Sequence, residues 1–156
     1  DVALPISRGK PKKIPLKLVK DAVKWYGRRL LSDRIYNDVE ILLEFDPTLA
    51  KDNLYGCCDW NDTSFRSRDF TVSLDPNLGK RNMLIVLAHE MVHVKQYAKG
   101  EMKDFVYGNR VKFKGSIVND NIVEYWDQPW EIEEHGKEKG LYLRFLEHEK
   151  IKKRNV

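Results

Sequence analysis

Nowhere in this chain do apolar residues run for the roughly eighteen positions that a membrane-spanning helix requires, which excludes a helical membrane protein. The opening stretch Asp1–Lys13 lacks an apolar core of the kind a secretory signal carries, so a cytoplasmic location is expected. Cysteine is scarce: Cys57 and Cys58 are the two present, and they are neighbours. Adjacent residues of an extended strand point to opposite faces, and a bridge between them closes a strained ring, so both are expected as free thiols in a reducing compartment. Their adjacency also argues against a structural zinc site, whose cysteine pairs are separated by about two to four residues. Internal repeats and long low-complexity segments are missing too, which excludes solenoids and disordered arrays.

What remains is an ordinary globular balance, with 42% hydrophobic and 33% charged residues over 156 positions, expected to form a single domain over 1–156. The net charge of +4 is uneven, since residues 1–30 hold nine Lys/Arg against two Asp while the rest is slightly acidic. Basic residues 8–29 are therefore a possible footprint for nucleic acid, although a solvated helix face with a basic tail is the favoured reading. Pro5, Gly9, Pro11 and the intervening lysines suggest an extended basic arm over 1–14.

Leu16, Val19, Val23, Tyr26 and Leu30 then recur at helical spacing and predict a first helix over about 16–31. Three strands are expected next, at Val39–Phe45, Leu54–Trp60 and Asp69–Leu74, with short connections that favour an antiparallel meander. Lys80–Tyr97 is the clearest helix, with Asn77 and Gly79 before it and Gly100 after it. The pattern from Phe105 to Val123 fits either a loose hairpin or a loop. A last helix is expected from Pro129 to about Glu149. The layout is α+β, a small, mostly antiparallel sheet packed on three helices.

Chemistry enters with His89-Glu90-Met91-Val92-His93 in the second helix. Histidines four apart stand one above the other on one helical face, so both imidazoles can converge on one metal ion. Glu90 is rotated by about 100° from His89, off the ligand face but at its edge, where it can act as a general base on water. A catalytic zinc takes a third protein ligand and keeps one position open. Downstream candidates are Glu124, Asp127, Glu131, Glu133, Glu134, His135, Glu138 and His148. The stretch Gln128-Pro129-Trp130-Glu131-Ile132-Glu133-Glu134-His135 stands out because it opens a helix. Gln96, one turn beyond His93, is a candidate to contact substrate or a ligand, or to serve as a cap. Tyr125, Trp126 and Trp130 read as packing residues. Tyr142 and His148 are candidate donors to an oxyanion, with nothing to choose between them.

The combination of HEMVH, Gln96 three residues on and a helix-opening PWEIE resembles gluzincin-type HExxH zinc metallopeptidases. It is especially similar to small phage-encoded metallopeptidases. LPISRGKPKKIPL near the start and LDPNLGKR before the second helix extend the likeness over most of the chain. The resemblance implies a minimal zincin-like fold, one Zn2+ per chain and hydrolysis of a peptide or protein substrate, in the host cytoplasm if the chain is phage-encoded. It implies His89, His93 and Glu131 as metal ligands and Glu90 as the catalytic base. In that family the third ligand opens an ExxA-like motif and is often followed by a carboxylate that braces a ligand histidine. Here Glu134 stands at the small position and His135 at the acidic one, which makes both candidates for the bracing role. Zincins also pair an edge strand beside the metal helix with extended substrate, which by analogy points to Thr71, Val72, Ser73 and Leu74. Two other readings are carried: a DNA-associated protease in the manner of SprT-like zincins, and a non-enzymatic virion or regulatory protein that retains a zincin scaffold.

Overall fold

The computed structural model describes residues 4–104 and 110–155. Its central element is helix α3 (Lys80–Ala98), in which Met83, Leu84, Leu87, Ala88, Met91, Val92 and Val94 are all buried. A helix apolar around most of its circumference has to be wrapped on several sides. Helix α1 (Leu16–Leu30) covers one side with Val19, Ala22, Val23 and Tyr26, a stripe at helical spacing that is fully buried. The Tyr26 hydroxyl donates to the Leu84 carbonyl at 3.0 Å, so the apolar contact also satisfies its polar end. Helix α4 (Pro129–Arg154) crosses both, and its Phe145 ring meets Tyr26 edge-on at 5.7 Å. Pro129 opens α4, where its missing N–H costs no helical hydrogen bond. The helix runs beyond Glu149, the expected end, to Arg154.

A four-stranded sheet covers another side of α3, in the order β1-β2-β4-β3. Its members are β1 (Ile6–Arg8), β2 (Glu40–Phe45), β3 (Gly56–Trp60) and β4 (Asp69–Leu74). The α+β class is as expected, but the three main strands are not a meander. β2 runs parallel to β4, with Ile41, Leu43 and Phe45 opposite Phe70, Val72 and Leu74, and only β3 is antiparallel to β4. The reason lies in burial. β4 carries the most enclosed residues and takes a central place, whereas β3, ending in exposed Asp59 and Trp60, takes the edge. The stretch 46–55, with a 3₁₀ turn at Pro47–Asp52, is long enough to leave the gap that β4 fills. The amino-terminal segment also differs from a free arm, because Ile6–Arg8 adds to β2 as a parallel edge strand.

A second, antiparallel sheet joins β5 (Met102–Asp104), β6 (Arg110–Phe113) and β7 (Ser116–Asn119). Lys114 and Gly115 both have positive φ and close the β6–β7 hairpin in two residues, the geometry that matches strand twist. Part of the mixed stretch is thus a hairpin, while 105–109 lie outside the described residues. Sequence patterning also missed a short helix, α2 (Asp33–Asp38), capped by Ser32, whose hydroxyl accepts from the Ile35 N–H. Among the described residues, no helix is long and apolar enough to cross a membrane.

Helices α3 and α4 and the β6–β7 hairpin are tied together by one carboxylate. Glu133 accepts from Gln96 Nε2 at 2.9 Å, from Lys95 Nζ at 3.1 Å and from Lys114 Nζ at 2.9 Å. Burial acts against its charge, but these donors hold its pKa down at about 2, from an ordinary 4.5. A depressed carboxylate contributes stability above its unfolded value, which is lost as pH falls through the folded one. Melting temperature is therefore expected to fall more steeply between pH 4.5 and about 2 in the native chain than in Glu133→Gln, and coincident profiles would refute the hub. Packing supplies a second test at Gly27, where an added Cβ would stand 2.4 Å from a ring carbon of the buried Tyr36. Gly27→Ala should lower stability by about 1–3 kcal/mol, despite the better helix propensity of alanine. A rise in the denaturant midpoint would show that Tyr36 gives way instead.

Candidate metal centre

The spacing of the two histidines does on α3 what helical geometry requires of it. Their rings project from successive turns on the side facing α4 and meet at right angles, centroids 5.3 Å apart. Opposite them, Glu131, Glu134 and Glu138 stand at positions three and seven apart on α4, and so share one face. Where the helices cross, His89, His93, Glu131 and Glu134 are grouped closely enough to bind a metal ion, each offering a ligand atom within 4.8 Å of the others.

Glu131 spans both imidazoles: Oε2 lies 3.4 Å from His89 Nε2 and Oε1 lies 3.6 Å from His93 Nε2. Donors about 2.0–2.1 Å from a tetrahedral ion are about 3.3 Å from each other, so these separations are close to the edges of such a site. Glu134 sits differently. Its Oε2 is 2.7 Å from His89 Nε2, a charge-assisted hydrogen-bond distance rather than a ligand–ligand edge, and its Oε1 touches His93 Nδ1. Glu134 is completely buried, yet among the described residues neither of its oxygens, nor Oε2 of Glu131, has a well-directed hydrogen-bond donor. Buried carboxylate oxygens without donors are costly, and two imidazoles beside such carboxylates suit the binding of a divalent cation.

The electrostatics follow from this crowding. Burial alone would lower the pKa of His89, but contacts with Glu131 and Glu134 raise it to about 11. His93 is raised as well, burial being outweighed by Glu134. Glu131 is held below the ordinary carboxylate range, where the neighbouring His89 overcomes burial. Glu90 moves the other way, because burial pushes it up to about 7 against the lowering effect of His93 and His89.

Outer partners orient the rings. His89 Nδ1 meets Glu138 Oε2 at 2.9 Å, the carboxylate–imidazole contact that fixes a metal-binding tautomer. His93 Nδ1 lies 3.2 Å from Gln96 Oε1, and Gln96 is locked by donating to the Trp130 carbonyl and to Glu133. Gln96 is fully buried, a positioning side chain and not a surface contact. His135 lies outside the four-residue group, with Nε2 3.0 Å from the Tyr125 hydroxyl and Nδ1 3.3 Å from Glu138. Glu138 was one of eight downstream candidates in the sequence; its place seven residues after Glu131 is the signal that could have singled it out. Tyr125 had no such signal, since its role depends on the 3₁₀ turn at Tyr125–Asp127 that brings it beside His135. Tyr142 is instead buried under Arg81, and His148 faces Trp25 on α1.

Glu90 points towards β3. A Cβ at Gly56 would come within 3.2 Å of Glu90 Oε1 and 2.6 Å of Val86, so glycine permits the strand to approach the helix this closely. The expected substrate strand requires correction. Thr71, Val72, Ser73 and Leu74 lie on β4, whose main chain is already paired on one side with β2 and on the other with β3. They have no edge left to offer. The edge beside α3 is β3, Gly56–Trp60. Of the basic residues between 8 and 29, Lys17 pairs with Asp21 and Arg28 with Asp33, which spends part of that charge internally.

Neither a family model, nor a curated protein, nor a solved structure matches the chain.

Proposed function

We propose that the chain is a zinc-dependent peptide-bond hydrolase with a minimal zincin-like fold. One observation carries this reading: two imidazoles whose Nε2 atoms lie 3.4 and 3.6 Å from the oxygens of Glu131, with a separate buried carboxylate, Glu90, between them and an open strand edge. His89, His93 and Glu131 would hold the ion, with Glu134 bracing His93 and Glu138 fixing His89. Zinc held by such donors supplies Lewis acidity, polarising a carbonyl and making water acidic near neutral pH. The chain's own residues do the rest. β3 offers main-chain groups to an extended peptide and so presents its amide to the donor set. Glu90, whose burial keeps its proton affinity near neutrality, accepts a proton from the attacking water and delivers it to the departing amine. Tyr125, ordered by His135, stands at the α4 side with a hydroxyl to donate to the developing oxyanion.

A purely structural ion needs no general base and commonly takes four protein ligands, so an intact Glu90 favours hydrolysis over a metal-stabilised binding protein. Elemental analysis of the purified chain should find about one zinc per molecule, lost in His89→Ala and in Glu131→Ala. A chain that neither carries zinc nor takes it up would overturn the proposal. Glu90→Gln should keep the ion and lower peptide hydrolysis by about a hundredfold or more. Hydrolysis unchanged in that variant would remove Glu90 from the mechanism.

A further inference from the structure

Away from the histidines, at the Trp60 end of β3, lies a cavity of about 310 Å³ lined by residues from β3, α3, β5 and the loop between β3 and β4. Its walls are aromatic. Trp60 and Tyr97 stack with centroids 4.2 Å apart, and Phe65 on the loop is 58% exposed. Its other feature is negative charge. Asp62 accepts the Arg68 N–H through Oδ2, while Oδ1, shielded from solvent, has no hydrogen-bond partner among the described residues. Asp104 is exposed and, among the described residues, receives one long 3.5 Å contact, from the Tyr97 hydroxyl. The cation lining the cavity, Lys103, sits over the Phe65 ring at 4.7 Å and pairs with neither aspartate among the described residues. Aromatic faces and carboxylates attract the same kind of group, an ammonium or guanidinium.

Gly56, Cys58 and Trp60 alternate onto the same face of β3, so the strand that passes Glu90 at Gly56 reaches the cavity at Trp60. Four residues of strand span about 13 Å. We infer that this cavity binds a lysine or arginine side chain of an extended peptide lying on β3, about four residues from the bond presented to Glu90. The inference rests on the proposed peptide-hydrolase reading for its ligand, and on the rings and aspartates for its charge preference. An apolar side chain would fill the aromatic walls equally well, and Asp62 and Asp104 in the lining are what discriminate against it.

The test uses the zinc-loaded, full-length Glu90→Gln protein, so that binding is read without turnover. Its probes are acetylated, amidated Ala/Ser nonapeptides in which a single lysine is walked along the chain, each paired with a norleucine isostere. In one register the lysine peptide should bind about tenfold more tightly than its isostere, by calorimetry. That preference should shrink in Asp104→Asn and in Asp62→Asn, with circular dichroism confirming that each variant is folded. Equal affinities for lysine and norleucine in every register, or binding of neither, overturn the inference. Wild-type protein given the same peptides separates the two readings. A lysine preference without cleavage leaves the cavity standing and defeats hydrolysis, whereas cleavage without lysine preference defeats the cavity alone.

Discussion

The structure depends on how α4 crosses α3, because that crossing brings carboxylates and imidazoles together where water is scarce. Glu131 and Glu134 are both buried, and they face His89 and His93 rather than solvent. Grouping two carboxylates in this way is unfavourable unless cationic charge lies between them. In the bare protein, protonated imidazoles can supply it, which is the physical meaning of the raised His89 and His93. A divalent ion supplies it better, since it also engages oxygens that lack well-directed donors. The remaining elements act as supports. α1 and the four-stranded sheet bury the apolar faces of α3, and Phe145 anchors the far half of α4 against α1.

The near half of α4 is held from the opposite face by Glu133. Its neighbours in sequence, Glu131 and Glu134, face the histidines, whereas Glu133 faces Lys95 and the β6–β7 hairpin through Lys114. One turn of helix therefore contacts a cation-seeking group on one side and a cation-rich hub on the other. Gln96 connects the two, with its oxygen at His93 and its amide nitrogen at Glu133. Buried networks of this kind fix a single geometry when every member is satisfied. Here the hub is satisfied from within the chain, and the histidine side is not.

The legible parts of this design were those with a short period. The borders of α1 and α3, the strand at Asp69–Leu74 and the convergence of His89 with His93 follow from apolar spacing and helical pitch within one element. Glu131 came from resemblance, and the fold groups it with Glu134, His89 and His93. Less legible was anything decided between elements. Nothing local to Asp69–Leu74 says that it will be inserted between β2 and β3, yet that insertion moves the free edge from Thr71–Leu74 to Gly56–Trp60. Nothing local to Ile6–Arg8 separates a solvated arm from an added edge strand. Eight acidic or histidine candidates lay downstream of the motif, and the crossing of two helices selects among them.

The relocated edge has a consequence for the glycine at its start. In a strand, glycine usually weakens the element, and at an edge there is no second partner to compensate. Gly56 is retained at a place where any side chain would collide with Val86 and press on Glu90. Packing alone could be met by a small residue in place of Val86, with the strand set slightly farther out. The observed choice keeps the main chain of the edge strand against the carboxylate itself, in a pocket where burial raises that carboxylate's proton affinity. A strand that only completed a sheet would gain nothing from such proximity. The proposed presentation of a backbone to Glu90 requires that proximity, and it depends on Gly56 rather than on the histidines.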